Sequence, residues 1–292
     1  MPHLLIPRKG WENERLAAYL LSRFSFVAHP VSVADDVGSD FFCTIFEVQQ
    51  ELGRDVLVPR SSFAIQVKSS TDKVTVDNKI EYLMRLELPF FIGVVSQGPA
   101  RMEIYSAEFL PMLFSDVGQP SRLSLVPVTT GSFNQNNYFE RTGTPNDVRL
   151  KCPLVAEFSV DDDRSAIAAK VNVLLRICTR TLSNIATRVN EEHIYQVNDQ
   201  GEFRIVAGPG SAKFFRMNFI KRLGEVFFNL SFLLGDAPPD EQLSAEIEVF
   251  HSLVQKLKSL KGYGPTLPTF VTAPYQVLRQ KLPRIKNGNQ NC

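Results

Sequence analysis

The stretch that decides the fold is Phe63-Ala64-Ile65-Gln66-Val67-Lys68-Ser69-Ser70. Its side chains alternate with the two-residue period of a β-strand, so Gln66 and Lys68 share one face, and Phe63, Ile65 and Val67 share the other. A lysine on an otherwise apolar strand is unexpected unless its face borders a cleft. The stretch therefore predicts a strand that carries a polar pair into a functional site.

A second strand precedes this one in the chain. The apolar run Phe41-Phe42-Cys43-Thr44-Ile45-Phe46 is typical of a buried strand, and Asp40 opens it. Residues 47–61 are polar and turn-like, with Gly53 and Pro59 among them. They predict a hairpin connection between the two strands.

Helices and further strands flank this predicted hairpin. Trp11–Phe24 shows helical periodicity, with Glu14 in its first turn, and Asp77–Leu88 is a second helix candidate. Phe90–Ser96 and Met102–Tyr105 are predicted as strands. The order helix, strands, helix, strands predicts an α/β fold with a mixed central sheet.

The second half of the chain differs from the first in its hydrophobic pattern, which is mostly helical. Residues 1–150 are predicted as one domain, 151–286 as a mainly helical accessory domain, and 287–292 as a disordered tail. Ser165–Asn190 has a long helical pattern, and residues 195–206 suggest a hairpin. Further helices are predicted at Lys213–Leu234, Asp240–Lys261 and Pro274–Leu282.

Composition restricts the classes of function. The chain has 292 residues, is 44% hydrophobic and carries a formal charge of +1, so any nucleic acid must bind to a local patch rather than to a strongly basic protein. No apolar run is long enough to span a membrane, and no secretory signal is recognised. A cytoplasmic protein is therefore expected.

The polar residues of the two strands suit phosphodiester hydrolysis. That reaction needs a hard divalent cation held by oxygen ligands and a positive group near the attacking water. Asp40 offers a carboxylate, Gln66 a side-chain carbonyl and Val67 a backbone carbonyl. Lys68 could orient or deprotonate water, and Glu14 could add a second carboxylate.

These elements resemble the PD-(D/E)xK nuclease superfamily, in the Mrr-like branch where the middle acid is often Gln. The similarity is closest to the bacterial domain family DUF4365 and covers roughly residues 8–125. The matching segments are the helix with Glu14, Val37–Asp40, Phe63–Ser70, Asn78–Leu83 and Leu88–Val95.

The resemblance implies a restriction-endonuclease-like core and Mg²⁺- or Mn²⁺-dependent cleavage of DNA, often in genome defence such as antiviral defence. It makes Asp40 the metal-binding acid, places Gln66 in the position of the second acid, and makes Lys68 the catalytic lysine. Glu14 would match a helix acid found in several branches. Gln66 lacks the charge of an acid, so a lower metal affinity is expected.

Several alternatives remain open at this stage. Asp35 or Asp36 could replace Asp40 if the register differs, and Ser69 and Ser70 could contact a phosphate or only end the strand. Basic residues after the lysine strand form either a phosphate-binding patch or a solvated face. These basic residues are Lys73, Lys79 and Arg85.

The predicted activity is that of a metal-dependent DNA endonuclease. The same core could instead be a non-catalytic module that binds nucleic acid or protein, or an RNA-cleaving effector. The resemblance also allows a homodimer, and the helical half could bind a partner protein.

Overall fold

In a computed structural model, the described residues are 5–29, 38–51, 53–143, 146–190 and 192–206, with scattered positions at 222, 225, 226, 228, 229, 244–249, 252 and 276. The chain divides into two compact units, Met1–Pro209 and Gly210–Cys292. The described positions of the second unit are all helical and fall where helices were predicted. The predicted tail at 287–292 lies outside the described residues.

The first unit contains four α-helices, three short 3₁₀ helices and eleven strands among its described residues. Its first half comprises α1 (Leu5–Ser22), β1 (Ser25–Ala28), β2 (Phe41–Glu51), β3 (Arg54–Lys68), β4 (Val74–Thr75), α2 (Ile80–Arg85), β5 (Phe90–Gln97) and β6 (Ala100–Ser106). Its second half comprises α3 (Leu110–Val117), β7 (Arg122–Val128), β8 (Phe139–Arg141), β9 (Asp147–Ser159), α4 (Arg164–Val189), β10 (Ile194–Gln196) and β11 (Phe203–Ile205).

Nine strands form one mixed sheet, which confirms the α/β prediction. Its order is β1-β2-β3-β5-β6-β9-β7-β4, with β8 also paired to β9, while β10 and β11 form a separate hairpin. The β3–β5 and β7–β9 pairs are parallel. The predicted domain boundary after residue 150 falls inside β9, and the compact unit extends to Pro209.

The two faces of the sheet build two apolar cores, and β3 contributes to both. Phe63, Ile65 and Val67 pack in a core with residues of α1 and α4, and Ala64 packs on the opposite face with residues of α2 and α3. Each fully buried large apolar side chain contributes about 1.5–3 kcal/mol. Burial on both faces therefore fixes the end of β3 that carries Gln66 and Lys68.

The segment predicted as turn-like, residues 47–61, is mostly strand, so that part of the prediction is wrong. The hairpin itself is confirmed, because β2 continues to Glu51 and pairs there with Arg54. Gly53 lies at the reversal with φ +76°. The segment is polar because solvent reaches both faces of the extended strands, and its branched side chains at 48 and 56–58 favour strand.

The hairpin register shifts once along its length. Ile45 pairs with Ser61, whereas Phe46 pairs with Pro59, so β3 has one additional residue, Arg60, at a β-bulge. Beyond the bulge toward Glu51, β2 and β3 pair with each other. Toward the site, they are flanked by β1 and β5.

Of two helices predicted from the sequence, one is shorter in the structure and the other is confirmed. The predicted helix at 77–88 is a 3₁₀ turn at Asp77–Lys79 followed by the six residues of α2, because Leu86 is already extended before Pro89. The predicted helix at 165–190 is confirmed, and Asp163 caps α4 by accepting from the Ala166 N–H at 2.8 Å. Within the described residues, no helix is both long enough and apolar enough to cross a bilayer.

Candidate active site

The hairpin places Asp40 beside the end of β3. Phe41 pairs with Ile65, so Asp40 lies level with Gln66. The N–H of Asp40 donates to the Ile65 carbonyl at 2.9 Å, and the Asp40 Oδ2 accepts from the Val67 N–H at 2.5 Å. These two contacts fix the Asp40 carboxylate against the strand that carries the predicted site.

Gln66 is buried with one polar atom unsatisfied. Its side chain is only 7% exposed, and its Oε1 has no hydrogen-bond partner among the described residues. Leaving a buried polar atom unpaired costs about 1–3 kcal/mol. A neutral oxygen held at this cost, beside a carboxylate, is the kind of ligand that a hard cation would satisfy.

The backbone of Val67 faces the same side. A residue in a paired strand directs its N–H and its carbonyl toward the same neighbouring strand. Since the Val67 N–H donates to Asp40, the Val67 carbonyl also faces the β2 side. The Asp40 carboxylate thus contacts the backbone of Val67, and the register places Gln66 level with Asp40; a shared metal site remains a prediction.

Lys68 is half-buried and shares the face of Gln66. It pairs with Val94 on β5, and Val94 pairs with Glu103 on β6. The Glu103 carboxylate accepts from the Tyr105 hydroxyl at 2.7 Å and forms an ion pair with Arg101 at 3.6 Å. Glu103, the acid in this row, is thus already paired with Tyr105 and Arg101.

Glu14 on α1 lies within electrostatic reach of Asp40. Partial burial raises the pKa of the Glu14 carboxyl, and the negative charge of Asp40 raises that pKa further, while His29 lowers it. Glu14 and Asp40 are therefore close enough to influence each other's charge, and a shared role in metal binding stays a prediction. Asp35 and Asp36, the alternatives to Asp40, lie outside the described residues.

His29 is a site residue that the sequence did not indicate. It follows β1, whose Ala28 pairs with Phe42, and its ring packs edge-on against Phe41 at 4.8 Å between centroids. His29 influences the charge state of Glu14. Only the antiparallel pairing of β1 and β2 brings it here, and no spacing motif in the sequence records that pairing.

Lys79, the last residue of the 3₁₀ turn that precedes α2, lies close to Gly38. A Cβ on Gly38, which has φ +98°, would lie 3.2 Å from the Lys79 Cδ and 3.1 Å from the Tyr82 ring. The Tyr82 hydroxyl is hydrogen-bonded to Ser39 Oγ at 2.9 Å, and burial raises the pKa of Tyr82. A glycine at this position thus lets the start of α2 pack against the residues that precede Asp40.

The other predicted phosphate contacts differ in position. Ser69, Ser70 and Lys73 are exposed in the segment that follows β3, close in sequence to Lys68. Arg85 forms an exposed ion pair with Glu81 at 2.7 Å, and six helical residues place it about 9 Å along the axis from Lys79. Lys79 therefore lies beside Gly38, two residues before Asp40, whereas Arg85 lies farther along α2 and pairs with Glu81.

Among the described residues, no three or more His, Cys, Asp and Glu side chains are grouped closely enough to hold a metal ion. The candidate ligands include only two acids, and their other oxygens come from an amide and a peptide carbonyl. That donor set consists entirely of hard oxygens, and it fits Mg²⁺ or Mn²⁺ rather than a soft metal.

No protein-family model matches this chain, and neither the curated proteins nor the solved structures contain a match.

Proposed function

We propose that this protein is a metal-dependent endonuclease that hydrolyses phosphodiester bonds in DNA. The observation that carries the proposal is the contact between the Asp40 carboxylate and the Val67 N–H, beside the buried, unpaired Gln66 Oε1. These observations support a site in which a carboxylate and two carbonyl oxygens lie near Lys68, which is the set of groups that the reaction requires.

The topology around the site supports the same proposal. Strands β1, β2 and β3 are antiparallel neighbours, and β5 returns parallel to β3 after the short helix α2. Helix α1 precedes them in the chain and carries Glu14. A restriction-endonuclease-like core would need this order of elements, with the acid and the lysine at the same end of the hairpin.

Asp40, Gln66, Val67 and Glu14 would hold Mg²⁺ or Mn²⁺, which when bound supplies Lewis-acid stabilisation of the phosphate oxygens. Lys68 orients the attacking water and offsets the charge that develops on the phosphate. The Val67 N–H holds the Asp40 carboxylate in place, which reduces the reorganisation needed during the reaction.

The proposed substrate contacts lie beside Lys68. Lys79 at the start of α2 and Lys73 in the preceding segment would bind backbone phosphates without reading the base sequence. Ser69 could donate a hydrogen bond to the same backbone. Because Arg85 is paired with Glu81, its contribution to binding is expected to be smaller than that of Lys79.

The test is incubation of the purified protein with supercoiled plasmid in Mg²⁺, Mn²⁺ or EDTA, beside Lys68→Ala. Cleavage should require the metal, and Lys68→Ala should lower the rate by about 10²–10⁴-fold because proton transfer and charge stabilisation are lost. Lys151→Ala is a matched control, since Lys151 is a strand lysine three strands away that pairs with Glu140 at 2.7 Å.

A Gln66→Glu variant extends this experiment. An added negative charge at the metal site should lower the Mg²⁺ concentration needed for half-maximal cleavage, by an amount on the order of tenfold. Cleavage by Lys68→Ala at the wild-type rate would contradict the mechanism. Cleavage of RNA but not of DNA would identify an RNA-cutting effector with the same site.

The second candidate is a non-catalytic module that binds nucleic acid or protein. It is favoured by Gln66, which replaces a charged ligand and leaves two acids near the candidate metal position. This alternative predicts binding of DNA, RNA or a protein without metal-dependent turnover. Binding of Mn²⁺ that disappears in Asp40→Ala would count against it.

A further inference from the structure

The far end of the β2–β3 hairpin extends beyond the strands that flank it. Strand β1 pairs with β2 only as far as Ile45, and β5 pairs with β3 only from Ala64 onward. Residues 46–51 and 54–61 therefore form a two-stranded ribbon with no third strand among the described residues. Two-stranded hairpins are marginally stable in water, so a ribbon of this length gains from added pairing.

The hydrogen-bond alternation shows which backbone groups of the ribbon face outward. Glu51 and Arg54 close the hairpin as a pair, and a two-residue reversal makes that closing pair hydrogen-bonded. Because pairs alternate along an antiparallel ladder, the residues at 47, 49 and 51 bond inward to β3. Phe46, Val48 and Gln50 then direct their N–H and carbonyl groups away from β3.

The two outer edges of the ribbon are protected differently. The β3 edge contains Pro59, which has no N–H to offer to another strand. The β2 edge, Phe46-Glu47-Val48-Gln49-Gln50-Glu51, contains no Pro, Gly or Lys. Proteins commonly protect exposed edges with such residues, so the β2 edge is the one left able to accept a strand.

An exposed apolar pair lies on one face of the ribbon. Val48 pairs directly with Leu57, and their side chains are 60% and 64% exposed. A strand added to the β2 edge would extend this pair into a longer apolar row, since directly opposed side chains share a face.

The ribbon is a poor surface for nucleic acid. It carries Glu47, Glu51 and Asp55 against Arg54 and Arg60, and Arg60 already pairs with Glu47 at 3.2 Å. It also lies at the opposite end of the strands from the site, because the eight residues from Asp40 to Val48 span about 27 Å. A protein strand therefore fits this edge better than a phosphate backbone.

We propose that the β2 edge of the ribbon pairs with the same edge of a second copy of this chain, antiparallel and with the two-fold axis at Val48. In this register Val48 opposes Val48 of the second copy, Phe46 opposes Gln50, and Glu47 opposes Gln49. All three outward-facing residues of each copy then find backbone partners, and a four-residue apolar row, Leu57-Val48-Val48-Leu57, crosses the interface.

Charge selects this register over its neighbours. A two-fold axis at residue 47 would oppose Glu47 to Glu47, and an axis at residue 49 would oppose Glu47 to Glu51. Like charges directly opposite are destabilising. An axis between two residues would place an outward-facing residue against an inward-facing one, so no hydrogen-bonded ladder could form.

The first test is sedimentation equilibrium of the full chain. The wild type should show a dimer of twice the 32.9 kDa chain mass. Val48→Lys places two charges together at the axis and should raise the dimer dissociation constant by about tenfold or more. Val56→Lys is the control, because Val56 lies on the other face of the ribbon and on β3, and it should leave the dimer intact.

A cross-linking experiment tests the register itself, in a Cys292→Ser background because the cysteines at 43, 152 and 178 are buried. Glu47 and Gln49 of the two copies would oppose each other with Cα atoms about 4.5 Å apart, close enough for a disulfide. Glu47→Cys and Gln49→Cys chains, mixed and oxidised, should give a covalent dimer. Each variant alone places its thiols diagonally, about 7–8 Å apart, and should stay uncoupled.

A wild type that sediments as a monomer at every concentration would overturn the proposal. So would a dimer that survives Val48→Lys, or a mixture that fails to couple. These outcomes are independent of nuclease activity, because the ribbon contributes no residue to the proposed site.

Discussion

The two ends of the β2–β3 hairpin are built from the same strands but differ in every neighbour. At the site end, β1 and β5 flank the pair, and residues of α1, α4, α2 and α3 cover its faces. At the ribbon end, the described residues provide neither flanking strands nor covering helices. Phe63 on β3 is fully buried, whereas Leu57, six residues earlier on the same strand, is 64% exposed.

This difference shows that the energetic cost of a polar side chain depends on whether its position in the hairpin is covered. Gln49 and Gln50 lie in the ribbon, outside the buried core, and the Gln50 amide donates to Asp55 Oδ1 at 3.4 Å. Gln66 lies in the covered end, where its unpaired Oε1 carries an energetic penalty and so requires an explanation such as a ligand. A glutamine therefore suggests no function at the exposed end of the hairpin, whereas at the covered end it suggests a ligand-binding role.

The largest expected difference between the two ends of the hairpin is in the effect of a mutation on catalysis. Asp40→Asn should reduce metal-dependent cleavage by about a thousandfold, since Lewis-acid stabilisation is worth several kcal/mol. The introduced amide oxygen can still accept from the Val67 N–H, so the free energy of unfolding should change little. Cleavage rates and denaturant unfolding measure the two outcomes.

The matched control is Asp55→Asn, which makes the same chemical change at the ribbon end and should leave cleavage unaltered. An equal loss of cleavage in both variants would mean that charge in general, rather than the position of Asp40, supports activity.

The second effect is on stability. Phe63→Ala should lower the free energy of unfolding by about 3–5 kcal/mol, because it removes a fully buried ring from the core. Leu57→Ala should change it by less than about 0.5 kcal/mol in the monomer, since the side chain is largely exposed. Urea unfolding at low protein concentration measures both, and similar losses would show that Leu57 is covered in solution.

The smallest effect is electrostatic and is measured without metal. The negative charge of Asp40 raises the pKa of Glu14, so Asp40→Asn should lower that pKa toward its ordinary value, while the contribution from burial remains. Carbon-13 NMR titration of the Glu14 carboxyl carbon reports the change, and Asp55→Asn should produce none. If the pKa of Glu14 is identical in the wild type and in Asp40→Asn, then Glu14 does not feel the charge of Asp40, and α1 does not contribute to the site.

Local sequence patterns predicted the elements of the site but not all of its members. The alternation at 63–70 placed Gln66 and Lys68 on one face, and the apolar run after Asp40 identified its strand; both features depend only on neighbours in the chain. His29 could not be found in this way, because strand pairing brings it beside Phe41. The contact between Asp40 and the Val67 N–H likewise depends on register, which no local pattern specifies.

The sequence does not predict the ribbon, because its composition is misleading. A strand exposed on both faces has the polar composition of a turn, and residues 47–61 were therefore predicted as a connection. A change in hydrophobic pattern predicts the domain boundary at 150, but β9 continues through that position because Leu150 pairs with Leu125 of β7 and with Phe139 of β8. The hydrophobic pattern of a sequence reflects only local composition, whereas the length of a strand depends on the strands with which it pairs.

The β-bulge at Arg60 has a consequence for how the chain tolerates changes in length. The register on the site side is held by core packing and by the Asp40 contacts, and the bulge already absorbs a one-residue mismatch between the two strands. Residues added at the tip, between Glu51 and Arg54, would lengthen a loop about 30 Å or more from Gln66 without moving it. The hairpin tip is thus a natural place to insert a fluorescent or affinity tag while the opposite end keeps its geometry.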